Sequence, residues 1–355
     1  MYENLPRSIT LWAEGSGSHL QGIAIDRARE YLYCSFTTCL IKADLRGNIL
    51  GSVTGLAGHL GCIAYNYEDG RVYGSLEYKH DSIGKGILKN IGCEELPQEG
   101  FYIARFDVEK ICRLGMDAEQ DGIMQAVFLK EVFEDYAAPG HRFGCSGIDG
   151  VTFAPQPGEK GAGNYLYVAY GVYRDITRED NDHQVILQYD ISQWDRYARP
   201  LNQKQMHRCG PEQPEGKYFV YTGNTTYGIQ NLEYDPDSLC MIAAVYPGVK
   251  EQFPNYQMFF IDCTKAPERK NLKGIGIQGQ TLALTDFGSG AWGSQFPLGS
   301  TGIASLGDGM FYIAQPLRQD GVFGGVIKLY SFCRDRLTFE EIEQPERTGL
   351  LCNMM

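Results

Sequence analysis

No stretch of this 355-residue chain approaches the roughly 18 consecutive apolar residues of a membrane-spanning helix. The opening, Met1-Tyr2-Glu3-Asn4-Leu5-Pro6-Arg7, has no apolar signal core, so a cytoplasmic location is expected, with no membrane partner. Basic residues are outnumbered: 32 Lys and Arg against 44 Asp and Glu give a formal net charge of −12. That balance argues against nonspecific nucleic-acid binding, which needs a basic footprint. The eleven cysteines form no CxxC pair, and Cys34, Cys62, Cys240, Cys263 and Cys333 fall inside strand-like runs. Buried free thiols in a reducing compartment are the expectation. A Walker A loop, a strand-to-helix dinucleotide fingerprint, HExxH and GxSxG are all missing. Asp180-Asn181-Asp182-His183 is a metal-loop fragment without the remaining spacing of an EF-hand.

What is present is repetition. Glycine (43 residues), tyrosine (23) and short apolar runs favour strands and tight turns. HLQGIAID at 19–26 matches HLGCIAYN at 59–66, and each is followed by a second strand pattern, YLYCSFTT at 31–38 and RVYGSLEY at 71–78. Weaker copies begin at GIDGVTFAP (147–155), GIQNLEYDP (228–236) and GSTGIASLG (299–307). A third strand follows in each copy, from CLIKADL at 39–45 to GVIKLYSF at 325–332. A fourth is readable as NILGSV, MQAVFLKEV, KYFVYTG, TLALTD and LTFEEIE. Four-stranded units repeated about an axis make a propeller, each sheet buried on both faces by its neighbours. The expectation is all-β: one five-bladed β-propeller domain of four-stranded antiparallel blades over 1–355, with blades near 19–58, 59–146, 147–227, 228–298 and 299–343. Six or seven blades would require splitting one long unit, and no second strand pair is found inside any of them. Ser8–Ala13 and residues 337–343 compete for the outer edge of the last blade.

In a propeller the first strand of each blade lines the channel, and the loops before it share one face with those after the second strand. Two columns of the repeat should therefore ring one channel mouth. The first is His19, His59, Gly147, Gly228 and Gly299; the second is Gln21, Gly61, Asp149, Gln230 and Thr301. His19, His59 and Asp149 are candidates for acid–base catalysis or for holding a divalent metal ion, the one cofactor considered. Polar channel residues that only cap strands are the plainer reading. Glu233 stands where Ala24 and Ala64 stand in the first two units, and a carboxylate facing the channel would be a candidate base or ligand. Lys79, Arg174, Lys250 and Arg318 recur just after the second strands, with Glu77 and Tyr173 beside them. On one rim they would form a cationic collar for a carboxylate or phosphate; solvated loop residues are the alternative. Among nearby aromatics, including Tyr227 and Tyr246, Trp292 in its Gly-Ser loop is the exposed candidate for stacking on a sugar or base.

The five units, over roughly 19–343, resemble those of the broad propeller group that includes NHL, gluconolactonase-type and plant-type glutaminyl cyclotransferase proteins. The resemblance rests on generic blade patterns such as residues 31–38 and 71–78. It implies the fold and transfers no catalytic residue. The functional expectation is a small anionic or sugar-like ligand at the channel mouth, with hydrolase or lyase chemistry as one form. The alternative is a non-catalytic carbohydrate- or protein-binding scaffold, using the long loops at 80–99 and 195–216 for a protein partner.

Overall fold

The computed structural model describes residues 5–14, 18–93, 98–159 and 163–343. A first strand, β1 (Ser8–Ala13), precedes the repeats. Blade one is β2 (Leu20–Ile25), β3 (Tyr31–Phe36), β4 (Cys39–Asp44) and β5 (Ile49–Thr54). Blade two is β6 (His59–Asn66), β7 (Arg71–Tyr78), β8 (Gly100–Phe106) and, after a short β9 (Met116–Asp117), β10 (Met124–Phe128). Blade three is β11 (Cys145–Ala154), β12 (Tyr165–Val172), β13 (His183–Tyr189) and β14 (Gly216–Tyr221). Blade four has three strands, β15 (Thr226–Asp235), β16 (Cys240–Tyr246) and β17 (Met258–Asp262), followed by a hairpin of β18 (Glu268–Asn271) and β19 (Gln278–Thr281). Blade five is built from β20 (Ile303–Gly307), β21 (Met310–Gln319), β22 (Val322–Cys333) and β23 (Thr338–Glu341). The innermost strands β2, β6, β11, β15 and β20 neighbour one another in a closed ring of five. The protein is a five-bladed β-propeller.

Burial follows from that ring. Every residue of β8 (GFYIARF) and β13 (HQVILQY) is buried, because both faces of each sheet are covered by adjacent blades. Even Arg105 on β8 is buried, and it reaches Asp195 and Gln125 at 2.7 Å each. Among the described residues six cysteines are buried, including Cys62 and Cys145, whose thiols burial pushes up to about 12. All ten cysteines among the described residues are free. No helix among these residues is long and apolar enough to cross a membrane.

The blade edges depart from the repeat in four places. Both candidate closing segments are used: β1 pairs with the first half of β22 (Ser8 opposite Lys328, Ala13 opposite Phe323), and β23 with its second half (Tyr330 opposite Glu341). Ile9 and Leu11 of β1 are buried. Leu11→Ala is expected to cost about 2–3 kcal/mol in urea unfolding, the low end of buried leucine truncations because an outer strand can relax. The run TLALTD does not complete blade four. Leu282 N–H donates to the Phe219 carbonyl of blade three, while Thr285 N–H donates to Phe260 of blade four, so the segment crosses between the two blades. The hairpin before it joins blade three through parallel pairing of β19 with β14. MQAVFLKEV is a strand only as far as Phe128; a helix, α2, occupies Lys130–Ala137.

The long loops are committed to the molecule. Within 80–99, Ser82–Asn90 form helix α1. Residues 195–216 run back along blade two: Ala126 N–H donates to Arg199, Phe128 N–H to Cys209, and the buried Gln203 binds Ala57, Gly55 and Tyr78. This cover satisfies an edge that would otherwise expose unpaired backbone, while Asp195, Arg196, Arg199, Lys204 and Gln205 of the same loop remain exposed.

Candidate functional site

The second column of the repeat has a local cause. Pairing between first and second strands breaks at Leu20/Gly22, Leu60/Ile63, Ile148/Val151 and Ile229/Asn231. The residues skipped include Gln21, Gly61, Asp149 and Gln230. A bulge leaves its extra residue unpaired and re-aims it, which turns these side chains out of the ladder toward the axis. Gln21, Asp149 and Gln230 thus meet at one mouth, around a cavity of about 280 Å³. His19, His59, Glu77 and Lys79 line the same cavity, with Ser18, Thr37 and Ser146 between them. Tyr227 and Tyr246 close one side. Helix α1 covers another with Ile83 and Ile87. Asp81 caps α1, accepting from Ile83 and Gly84 N–H, and its second oxygen lies 3.1 Å from the Tyr173 hydroxyl.

The charges are arranged as a buried chain. Lys79 Nζ lies 2.5 Å from Glu77 Oε1 and donates to the Ser146 carbonyl at 2.8 Å. Glu77 Oε2 accepts from Ile148 N–H at 2.9 Å. Burial alone would raise Glu77, but the Lys79 ammonium and His59 hold its carboxyl below the usual range. Burial would lower Lys79, and Glu77 and Asp81 reverse that. The pair therefore stays ionised. His59 Nδ1 stands 3.6 Å from Glu77 Oε1, an ion pair when the ring is protonated, though too long for a hydrogen bond. Burial lowers His59, and Glu77 and Asp149 outweigh it, so its pKa is raised. Asp149 is pushed up to about 7 by burial, against the pull of His59. His19 is lowered by burial and by His59; its ring nitrogens lie 3.4 Å from Ser18 Oγ and 3.3 Å from Gln21 Nε2.

Two glycines make room for these carboxylates. A Cβ on Gly61 would fall 2.1 Å from Asp149 Oδ1, and one on Gly147 (φ +124°) would fall 1.9 Å from Glu77 Oε2. Each acid of blades two and three therefore sits against the bare backbone of its neighbour's inner strand.

Several expected members are elsewhere. Glu233 lies at the opposite end of the channel, three residues beyond Gln230 on the same strand. The cationic collar does not form. Lys79 is neutralised by Glu77, and Lys250 is buried against Asp182 at 2.5 Å, away from the cavity. Arg174 and Arg318 are exposed and line no part of it, and Arg318 rests 4.9 Å over Phe323. Trp292 packs on Tyr256 and Phe259, because the loop carrying it is pinned by the Ser294–Met258 bridge. Thr301 is turned into the wall, donating to the Ala314 carbonyl at 3.1 Å. Among the described residues no three His, Cys, Asp or Glu side chains are grouped to hold a metal ion, so His19, His59 and Asp149 share a cavity without forming such a centre.

No family model and no curated protein matches the sequence. Solved structures of similar shape include a Trichoderma reesei carbohydrate-active enzyme of family AA12 in its calcium structure. Its TM-score is 0.43 at 10% identity, covering 86% of this chain and 80% of that one. The PQQ domain of pyranose dehydrogenase from Coprinopsis cinerea gives 0.39 at 10% identity, covering 86% and 81%. The WD40 repeats of RRP9 give 0.37 at 10% identity, covering 95% and 83%. Likeness at that level carries no reading of ligand or activity.

Proposed function

We propose that this protein binds a small sugar-like ligand at the α1-covered mouth and acts on it as a hydrolase or lyase, with His59 and Asp149 exchanging protons. The observation that supports this reading is the convergence of His59, Asp149, Gln21 and Gln230 from four separate blades, by strand ends and bulges, on one cavity. At about 280 Å³, the volume is near the lower end of the roughly 300–1,000 Å³ of small-molecule sites, which suits a single ring. Amide and hydroxyl groups of Gln21, Thr37, Ser146 and Gln230 can bind ligand hydroxyls, while Ile83, Ile87 and the tyrosines offer apolar faces. An acid near neutrality beside an imidazole is suited to proton transfer at physiological pH. A neutral ligand is favoured over an anionic one, because Lys79 is already paired with Glu77, and His59 faces the same carboxylate.

A thermal-shift panel of neutral monosaccharides, sugar lactones and sugar acids tests this. Neutral sugars or lactones are expected to raise Tm, since ligand at a hundred times Kd stabilises by about 2.7 kcal/mol. Asp149→Asn should retain most of that shift and lose turnover by about 10²–10⁴-fold, the usual share of an acid–base group. Binding without turnover in the parent protein would reduce the reading to a carbohydrate-binding module. A panel with no shift, or shifts with sugar acids alone, would overturn it.

A further inference from the structure

The far end of the channel holds a second cavity of about 560 Å³ that shares no lining residue with the first. On β15, Gln230 lines one cavity and Glu233 the other. Asn231 between them donates across the axis to the carbonyls of Gln21 (2.8 Å) and Ser300 (2.9 Å), which closes the channel between the two. Glu233 occupies the repeat position of Ala24, Ala64, Thr152 and Ala304, so a single carboxylate stands in a ring of small side chains. Its Oε1 accepts from Ser305 N–H at 2.7 Å. Among the described residues its Oε2 has no hydrogen-bond partner, and no cation pairs with either oxygen.

The next position of the repeat supplies the walls. Tyr65 on β6, Phe153 on β11 and Tyr234 on β15 are equivalent residues of three successive inner strands; each is half-buried and each lines the cavity. Tyr67, 45% exposed, adds a fourth ring, its centroid 5.3 Å from that of Tyr65. The cations at this mouth are already engaged. Arg27 donates to the Tyr67 carbonyl and Arg29 to the Leu306 carbonyl. Both stand on the turn after β2, beyond the strand end, whereas Glu233 lies inside β15. Against these two guanidinium groups the lining carries three carboxyls, Asp26, Glu68 and Glu233. Asp26 is held by the N–H groups of Ala28, Glu30 and Tyr31.

We propose that this second mouth binds an organic ammonium ion, its charged head on Glu233 Oε2 and its substituents against the rings of Tyr65, Tyr67, Phe153 and Tyr234. Two independent features converge on that choice. A carboxylate with an open oxygen and no cation of its own attracts a positive group. The faces of aromatic rings attract the same group, more strongly once it leaves water. An anion gains neither: the guanidinium groups it would need are taken, and Glu233 repels it. A neutral ring gains the walls alone. Burial pushes Glu233 up to about 8, with Asp235 on its own strand adding to the shift and Ser305 N–H opposing it. The Cys62 thiol of β6 and the Tyr67 phenol also sense Glu233; burial is the larger cause in both, and both are raised, so neither is charged in this range. At pH 7 the empty cavity therefore keeps a proton on Glu233 that a cation must displace. Affinity for a permanent cation should rise about tenfold from pH 7 to pH 9.

Calorimetric titration of the full chain with benzyltrimethylammonium at pH 7 and pH 9 tests this, with benzyl alcohol (neutral) and benzoate (anionic) as comparisons. At pH 9 the cation is expected to bind about tenfold tighter than either. Glu233→Gln should weaken the cation about tenfold at pH 9, abolish its pH dependence and leave benzyl alcohol within about threefold. Tyr65→Leu should weaken the cation about threefold. Circular dichroism establishes that each variant is folded, and either one keeps the test open if the other is not. His59→Ala, at the other mouth, should leave the titration unchanged. No binding of benzyltrimethylammonium, equal affinity for benzyl alcohol or benzoate, or undiminished binding by Glu233→Gln would overturn the assignment. So would loss in His59→Ala alone, which would place the probe in the first cavity.

Discussion

Lys79→Met is expected to destabilise the protein by about 3–5 kcal/mol, the range for stranding one partner of a buried ion pair. Lys79 and Glu77 side chains are 5% and 4% exposed, and Lys79 supplies the short contact that keeps Glu77 charged. Without it, Glu77 retains only Ile148 N–H and a 3.6 Å approach to His59. Either Glu77 takes up a proton or His59 is driven more fully to its cationic form, and both tie stability to pH. Glu77→Gln/Lys79→Met should recover much of the loss, because the glutamine oxygen can still accept from Ile148. Urea unfolding of the two singles and the double gives the coupling directly. A Lys79→Met protein within about 1 kcal/mol of the parent would show that the pair does not carry a buried charge.

Glu233→Gln is expected to act in the opposite direction and to depend on pH. The folded-state pKa is about 8, against 4.5 for an unhindered glutamate. Between those values the folded protein keeps a proton that the unfolded chain releases, so parent stability falls as pH rises from about 4.5 to 8 and is level above that. At 1.36 kcal/mol per pKa unit, the full cost is on the order of 3–5 kcal/mol. Glutamine avoids it while still accepting from Ser305 N–H, so the variant should be more stable than the parent at pH 9 and nearly equal to it at pH 4. Asp149, raised to about 7, contributes a parallel slope ending about one unit lower, and adding Asp149→Asn should flatten the remainder. Unfolding midpoints at pH 4, 7 and 9 decide the matter; a gap between variant and parent that does not widen with pH would refute the buried-acid description of Glu233.

The blade count and the grouping of His19, Gln21, His59, Asp149 and Gln230 were legible because repetition aligns sequence-distant residues in one frame. The bulges behind the second column were not, although the alignment had already found the residues they displace. Glu233 was assigned to the wrong mouth for a simple reason. Three residues of strand advance about 10 Å, enough to carry a side chain from one opening to the other. The cationic collar fails because its two lysines are taken up by carboxylates, and one of those partners is invisible locally: nothing in the nearby sequence ties Lys250 to Asp182, 68 positions away. Glu77, Lys79 and Asp81 are another matter, since alternate residues along an extended chain share a face, and that acid–base–acid alternation was available in the sequence. So was α1. Asp81-Ser82 followed by Ile83, Ile87 and Leu88 is a capped, one-sided helix, obscured by Gly84 and Gly86. TLALTD was a fair strand by composition, and only the preceding hairpin's attachment to blade three diverts it.

The double clasp on β22 bears on how the molecule is made. Ser8 and Lys328 are neighbours in space but separated in sequence by the first four blades, so a ribosome must deliver all of those blades before the last sheet can be finished. Contacts so remote in sequence form slowly, and until they do, the newborn chain presents the raw flank of blade five to any passing strand. The same latch works in reverse once fastened: solvent cannot peel the ring from one end without first parting two pieces of backbone gripped on the same long strand.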